Sequence, residues 1–149
     1  MRKTETILVA EDDTSDAFFL KRAFAEVGIP TKLQFVRDGQ EVLEYLLGQG
    51  QFANRLAHPG PDLLLMDLKM PRLDGFEVLD WVRQQPLLKR LPIIIFSSSA
   101  QNEDINRAYD LGANSYLVKP HSNEDLHALM EKLKTYWIEA NNRPDTFPE

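Results

Sequence analysis

Five runs of four residues, three of them wholly apolar, recur along the chain, and each is followed by a stretch in which apolar side chains return at helical spacing. Strands that are apolar throughout need cover on both faces, and that requirement is met by a parallel sheet with helices on either side. The runs are residues 7–10, 33–36, 63–66, 93–96 and 115–118. The second is more polar than its neighbours and reads as lying nearer an edge. Ala17, Leu20, Phe24 and Val27 mark the first helix, which Gly28 and Pro30 end. Asp38-Gly39 opens the second, carrying Val42, Leu43, Leu46 and Leu47, and a breaker-rich loop follows over residues 48–61. That loop is long for a connection in a compact domain. Phe76, Leu79 and Val82 mark the third helix, closed at Pro86, and the fourth covers about residues 102–111, stopped by Gly112. Ser122 with Asp125 resembles a capping pair before the last stripe, Leu126, Leu129, Met130, Leu133 and Trp137.

A chain of 149 residues fits one domain able to bury a real core, and leaves no room for a second module. The core is expected over about residues 5–138, with a flexible polar tail over 139–149. There is no cysteine, which removes disulfide, thiolate-metal and thiol-nucleophile chemistry and suits a cytoplasmic protein. No stretch approaches the roughly 20 apolar residues of a membrane helix, and none resembles a leader peptide. The net charge of −6 and the lack of a Lys/Arg block argue against nucleic acid as a partner.

In doubly wound sheets ligands bind beyond the carboxyl ends of the strands. Four of the five expected strand ends carry unusual polar residues: Glu11 and Asp12, Asp67, Ser97, and Lys119. Crowded carboxylates repel unless a cation sits among them. Mg2+ takes oxygen ligands, commonly one or two carboxylates and a substrate phosphate, so Glu11, Asp12 and Asp67 form a candidate site for it or for a similar cation such as Mn2+. A carboxylate is also a nucleophile toward phosphorus. Phosphoryl transfer needs positioning and charge neutralisation, which Lys119 supplies with the metal, and the Ser97 hydroxyl is placed to donate to a phosphoryl oxygen. Each residue alone has a plainer reading: Glu11, Asp12 and Asp13 as a helix-start turn, Asp67 as a turn residue before Pro71, Lys119 as a loop lysine, Ser97 as one of three adjacent serines. Asp13 and Asp16 read as helix-start residues, Trp81 and Trp137 as packing, and His58, His121 and His127 as surface residues.

Taken together the motifs resemble a two-component response-regulator receiver domain. They are Ile7-Leu8-Val9-Ala10-Glu11-Asp12-Asp13, the segment from Leu64 through Asp67 to Gly75, Ser97, and Tyr116-Leu117-Val118-Lys119-Pro120. The resemblance implies a flavodoxin-like (CheY-like) α/β fold: a doubly wound five-stranded parallel sheet in strand order 2-1-3-4-5 with five helices. It implies Asp67 as phosphoacceptor, Asp12 as a direct metal ligand, Glu11 acting through metal-bound water, and the Lys69 backbone carbonyl as the remaining protein ligand. Ser97 matches the switch hydroxyl, its distance to Lys119 selecting it over Ser98. Lys119 matches the phosphate-binding lysine and Tyr116 the switch aromatic. Lys69 and Ser99 match the positions that tune phosphoryl lifetime, and Lys119-Pro120 is a candidate cis bond. Such a protein is not an enzyme in the ordinary sense; it assists its own phosphorylation and dephosphorylation, and its partner is a sensor histidine kinase.

The 48–61 loop, the Val36-Arg37-Asp38-Gly39 turn, Asn102-Glu103-Asp104-Ile105 and the Tyr136-Trp137 ending further resemble single-domain receivers that partner phytochrome-type kinases. Some of those dimerise through the fourth helix, fifth strand and fifth helix. Two rival readings share the fold. A haloacid-dehalogenase-type phosphatase would carry a second acid two residues after its nucleophile, where this chain has Lys69. A flavodoxin-like cofactor binder would offer backbone donors to phosphate where Glu11-Asp12-Asp13 repels it.

Overall fold

The computed structural model describes residues 2–147. Strands and helices alternate: β1 (Thr6–Ala10), α1 (Thr14–Val27), β2 (Lys32–Val36), α2 (Gly39–Leu47), β3 (Leu63–Met66), α3 (Gly75–Gln84), β4 (Ile93–Ser97), α4 (Asn102–Asp110), β5 (Ser115–Val118) and α5 (Asn123–Leu133). A 3-10 turn, Gly50–Phe52, follows α2, and a π-helical segment, Lys134–Ala140, extends α5. All four strand pairings are parallel, and the sheet runs β2-β1-β3-β4-β5, with polar β2 at one edge.

Alternation along the central strands divides the core in two. Leu8, Ala10, Leu64, Met66, Ile93 and Ile95 pack against α2, α3 and α4 through Val42, Tyr45, Leu79, Val82 and Ala108. Ile7, Val9, Leu63, Leu65, Ile94 and Phe96 pack against α1 and α5 through Leu20, Phe24, Met130 and Leu133. Burial on both faces explains why β1, β3 and β4 read as unbroken apolar runs.

Four helices begin on a side-chain cap, which fixes where each starts. Asp13, Asp38, Asp74 and Ser122 accept from the backbone N–H groups of Asp16, Glu41, Glu77 and Asp125 respectively. In α3 the box is complete, with the Glu77 carboxylate accepting from the Asp74 N–H.

Several side chains order the long loop over 48–61, among them Lys32 and Gln34, which donate to the Ala57 carbonyl. Arg55 donates to the carbonyls of Tyr45 and Leu46 in the last turn of α2 and to that of His58 in the loop, joining the two. Tyr45, absent from the expected apolar set of α2, is 1% exposed and donates its hydroxyl to Pro59. His58 corrects the surface reading: its ring packs edge-on to Tyr45 and Phe52 at 5.8 and 5.3 Å. At the far end of the chain, Arg143 donates to Lys3 and pairs with Asp62, and Phe147 lies against Gly60. Residues of the polar tail are thereby held against the start of β1 and β3. Among the described residues there is no cis peptide bond, so Lys119-Pro120 is trans. None of their helices is long and apolar enough to cross a membrane.

Candidate functional site

The carboxyl ends of the strands meet in register, and backbone ladders carry on one residue beyond them. Asp67 N donates to Ala10 O at 3.1 Å, Glu11 N to Val36 O at 3.0 Å, and Lys119 N to Ser97 O at 2.8 Å. Parallel pairing therefore brings Glu11, Asp67 and Lys119, from three distant segments, to one edge. Glu11 is 6% and Asp67 8% exposed, whereas Asp12 faces solvent.

The Lys119 ammonium donates to three carboxylates: Glu11 at 2.5 Å, Asp67 at 2.8 Å and Asp16 at 3.0 Å. Burial alone would lower the lysine pKa, but the hydrogen bonds to Asp67, Glu11 and Asp16 outweigh it and raise it above the ordinary value. The same burial pushes the Glu11 carboxyl up to about 7, against the pull of Lys119 and the Asp13 N–H, with the Asp67 charge adding to the rise.

Oxygen atoms of Glu11, Asp12 and Asp67 lie within 4.8 Å of one another. This all-oxygen donor set, two members buried and one open to water, fits a hard divalent cation that keeps part of its hydration shell. Asp67 Oδ1 accepts from the Leu68 N–H at 2.7 Å, which orients the carboxylate. Gly75, at the start of α3, lets that helix approach closely: a Cβ there would stand 2.6 Å from the Asp67 carbonyl oxygen.

Ser97 is 2% exposed, and its Oγ accepts from the Ser99 N–H at 3.2 Å. Ser99 in turn donates to Asp104 at 2.6 Å, and the Tyr116 hydroxyl donates to the Ser99 carbonyl at 2.8 Å. Tyr116 is thus tied to the β4–α4 loop, packed beside the α2–α3–α4 half of the core. A cleft of about 620 Å3 opens beside the site, lined by Asp12, Lys69, Ser97, Ser99, Phe76 and Arg107 among others.

Several residues here had no distinctive mark in the sequence. Arg72, in the loop after Asp67, has φ 66°, a left-handed conformation that costs energy for a side-chain-bearing residue. Its guanidinium forks onto Asp38 at 2.9 and 3.1 Å, so that one carboxylate both caps α2 and ties down the loop bearing Lys69. Arg107 stacks 4.1 Å over Phe76, joining α4 to the start of α3. Asp16 reads as a helix-start acid, and the structure adds its bond to Lys119.

Residues 7–131 match the family described as the response regulator receiver domain. The chain is 36% identical over 142 residues to the probable methanogenesis regulatory protein FilR2 of Methanothrix harundinacea, covering 93% of this chain and 86% of that protein. Among solved structures, response regulator RPA3017, of red light signaling in R. palustris, is 38% identical with TM-score 0.89, covering 94% of this chain and 98% of that one. The phosphorylated cyanobacterial phytochrome response regulator RcpA is 33% identical with TM-score 0.86, covering 97% and 99%. The Mn2+-bound form of response regulator Rcp1, a protein of Synechocystis, is 32% identical with TM-score 0.85, covering 94% and 99%. The chain belongs to the response regulator receiver family. Its class is that of a two-component signalling receiver, similar over nearly its whole length to response regulators of phytochromes.

Proposed function

We propose that Asp67 accepts a phosphoryl group from a phosphohistidine of a sensor kinase and that the modified state alters a protein-binding surface. The observation that carries this reading is the Lys119 ammonium set between Asp67 and Glu11, beside Asp12, at the edge of the sheet. An Asp67 carboxylate oxygen would attack phosphorus in line; the new O–P bond forms as the N–P bond breaks, and its electron pair returns to the imidazole. Lys119 balances charge on the phosphoryl oxygens, and Ser97 donates its hydroxyl to one of them. Glu11, Asp12, Asp67 and the Lys69 backbone carbonyl would hold the divalent cation, Mg2+ in the first instance. That cation, when bound, supplies charge neutralisation at the transferring group. Lys69 and Ser99 flank the phosphoryl group from two loops and govern water's access to the acyl phosphate.

Signal output is read through Tyr116 and the face of α4, β5 and α5, where Tyr109 and Val118 leave apolar surface exposed. That face is the proposed homodimer surface, and a phytochrome-type histidine kinase is the proposed donor, supported by the likeness to RPA3017 and RcpA. The site as drawn favours no phosphatase: Lys69 offers no carboxylic acid two residues after Asp67 to protonate a leaving group. The test is intact-mass spectrometry after incubation with a small acyl phosphate and Mg2+. One phosphoryl adduct is expected on the wild type and none on Asp67→Asn. Light scattering of the same samples reports whether the adduct changes the oligomeric state.

A further inference from the structure

Resting on the reading of Asp67 as phosphoacceptor, we infer that Asp16 is a positioning residue that draws the Lys119 ammonium toward α1, favouring the cation-bound site and opposing the phosphoryl-bearing one.

Asp16 occupies the third position of α1, where an acid ordinarily serves the helix itself. In α3 the residue at that position, Glu77, turns back to accept from the N–H of the capping Asp74 at 3.2 Å. In α1 the corresponding N–H, that of Asp13, is taken instead by Glu11 Oε2, also at 3.2 Å. Asp16 is therefore not used to close the cap. Its Oδ2 accepts from Lys119, 103 residues away in sequence, at 3.0 Å. The pair spans α1 and the β5–α5 loop at a cleft of about 240 Å3, lined also by Phe19, Phe96 and Pro120.

Three carboxylates share this ammonium, and their other commitments differ. Glu11 and Asp67 belong to the group that converges on a cation, and Asp16 does not. When a divalent ion takes up Glu11 and Asp67, Lys119 is left competing with it for the same oxygens, and Asp16 supplies an alternative partner. When Asp67 carries a phosphoryl group, Lys119 is needed on the phosphoryl oxygens, and Asp16 pulls the other way. One residue thus acts with opposite signs on two ligands of one site. A helix-start acid acting only through α1 would change stability and shift both affinities together.

The test pairs two binding measurements on the wild type, Asp16→Asn and the charge-keeping Asp16→Glu. Mn2+ affinity is read from free Mn2+ by electron paramagnetic resonance. Beryllofluoride, standing in for the phosphoryl group, is read by fluorine NMR at saturating Mg2+. Asp16→Asn should weaken Mn2+ binding and strengthen beryllofluoride binding, each by about two- to five-fold, toward the upper range of a surface ion pair. Asp16→Glu should stay near the wild type in both. In a Lys119→Gln background the effect of Asp16→Asn on Mn2+ should vanish, because the coupling runs through the ammonium. Affinities that move together, or not at all, in Asp16→Asn would overturn the inference while leaving the phosphoacceptor reading intact. A wild type that binds no beryllofluoride would overturn both.

Discussion

Lys119 is the residue on which the metal-free site depends, because its ammonium is what lets Glu11 and Asp67 stay buried side by side. Removing it leaves two acidic groups without their counter-charge, and breaking a buried pair from one side is costly. Lys119→Met should lower metal-free stability by roughly 1–3 kcal/mol. Millimolar Mg2+ should recover more stability in the variant than in the wild type, as urea denaturation with and without the ion would reveal. Asp38 gives a pH test. Burial alone would raise its pKa, but the Arg72 hydrogen bonds and the Glu41 N–H hold it below the ordinary 3.8. A folded value below the unfolded one contributes stability above the unfolded value, and that contribution fades as pH falls through the folded one. Asp38→Asn should therefore be less stable than the wild type at pH 7, and the gap should close below about pH 4, followed by denaturation across pH. Glu11, Asp67 and Lys119 were legible in the sequence because acids and a lysine stand out where apolar strands end. The Asp38–Arg72 fork and the Asp16–Lys119 pair were not, because each acid already had a sufficient local role at a helix start.

At the scale of elements, five strands and five helices could be read from periodicity because the central strands are buried on both faces and each helix shows one apolar stripe. Gly75 shows how closely an element boundary is coupled to the site. Its Cβ position is hemmed in by the Asp67 carbonyl oxygen at 2.6 Å and the Leu68 Cα at 2.9 Å, backbone atoms with little room to yield. Gly75→Ala should cost about 1–3 kcal/mol and reduce adduct formation, checked by thermal melting and intact mass together. What periodicity did not reveal was irregular structure held by single polar side chains. The 48–61 segment reads as a breaker-rich loop of unusual length, yet Arg55 ties it to the end of α2, and no repeat in the sequence announces an arginine placed under three carbonyls. The π-helical turn over Lys134–Ala140 was likewise hidden, since its residues continue the stripe of α5 without interruption.

For the molecule as a whole, the two ends of the sheet do different work. The carboxyl end gathers the polar groups, while at the opposite end Arg143 lies on Lys3 and Asp62 and Phe147 against Gly60. A polar, proline-bearing tail gives no sign of such contacts in sequence, because they span most of the chain and follow no period. A chain ending at Asn142 should melt lower by about 2–8 °C and bind beryllofluoride within about two-fold of the full chain, since a packed sheet separates the tail from Asp67. Phosphoryl transfer to Asp67 can be trapped with borohydride, which reduces an acyl phosphate to an alcohol. After treatment with an acyl phosphate and Mg2+, then borohydride and proteolysis, peptide mass mapping should find homoserine in place of Asp67 and at no other position. Reduction at Glu11 or Asp12 instead, or no reduced residue under conditions where the metal is bound, would contradict the account.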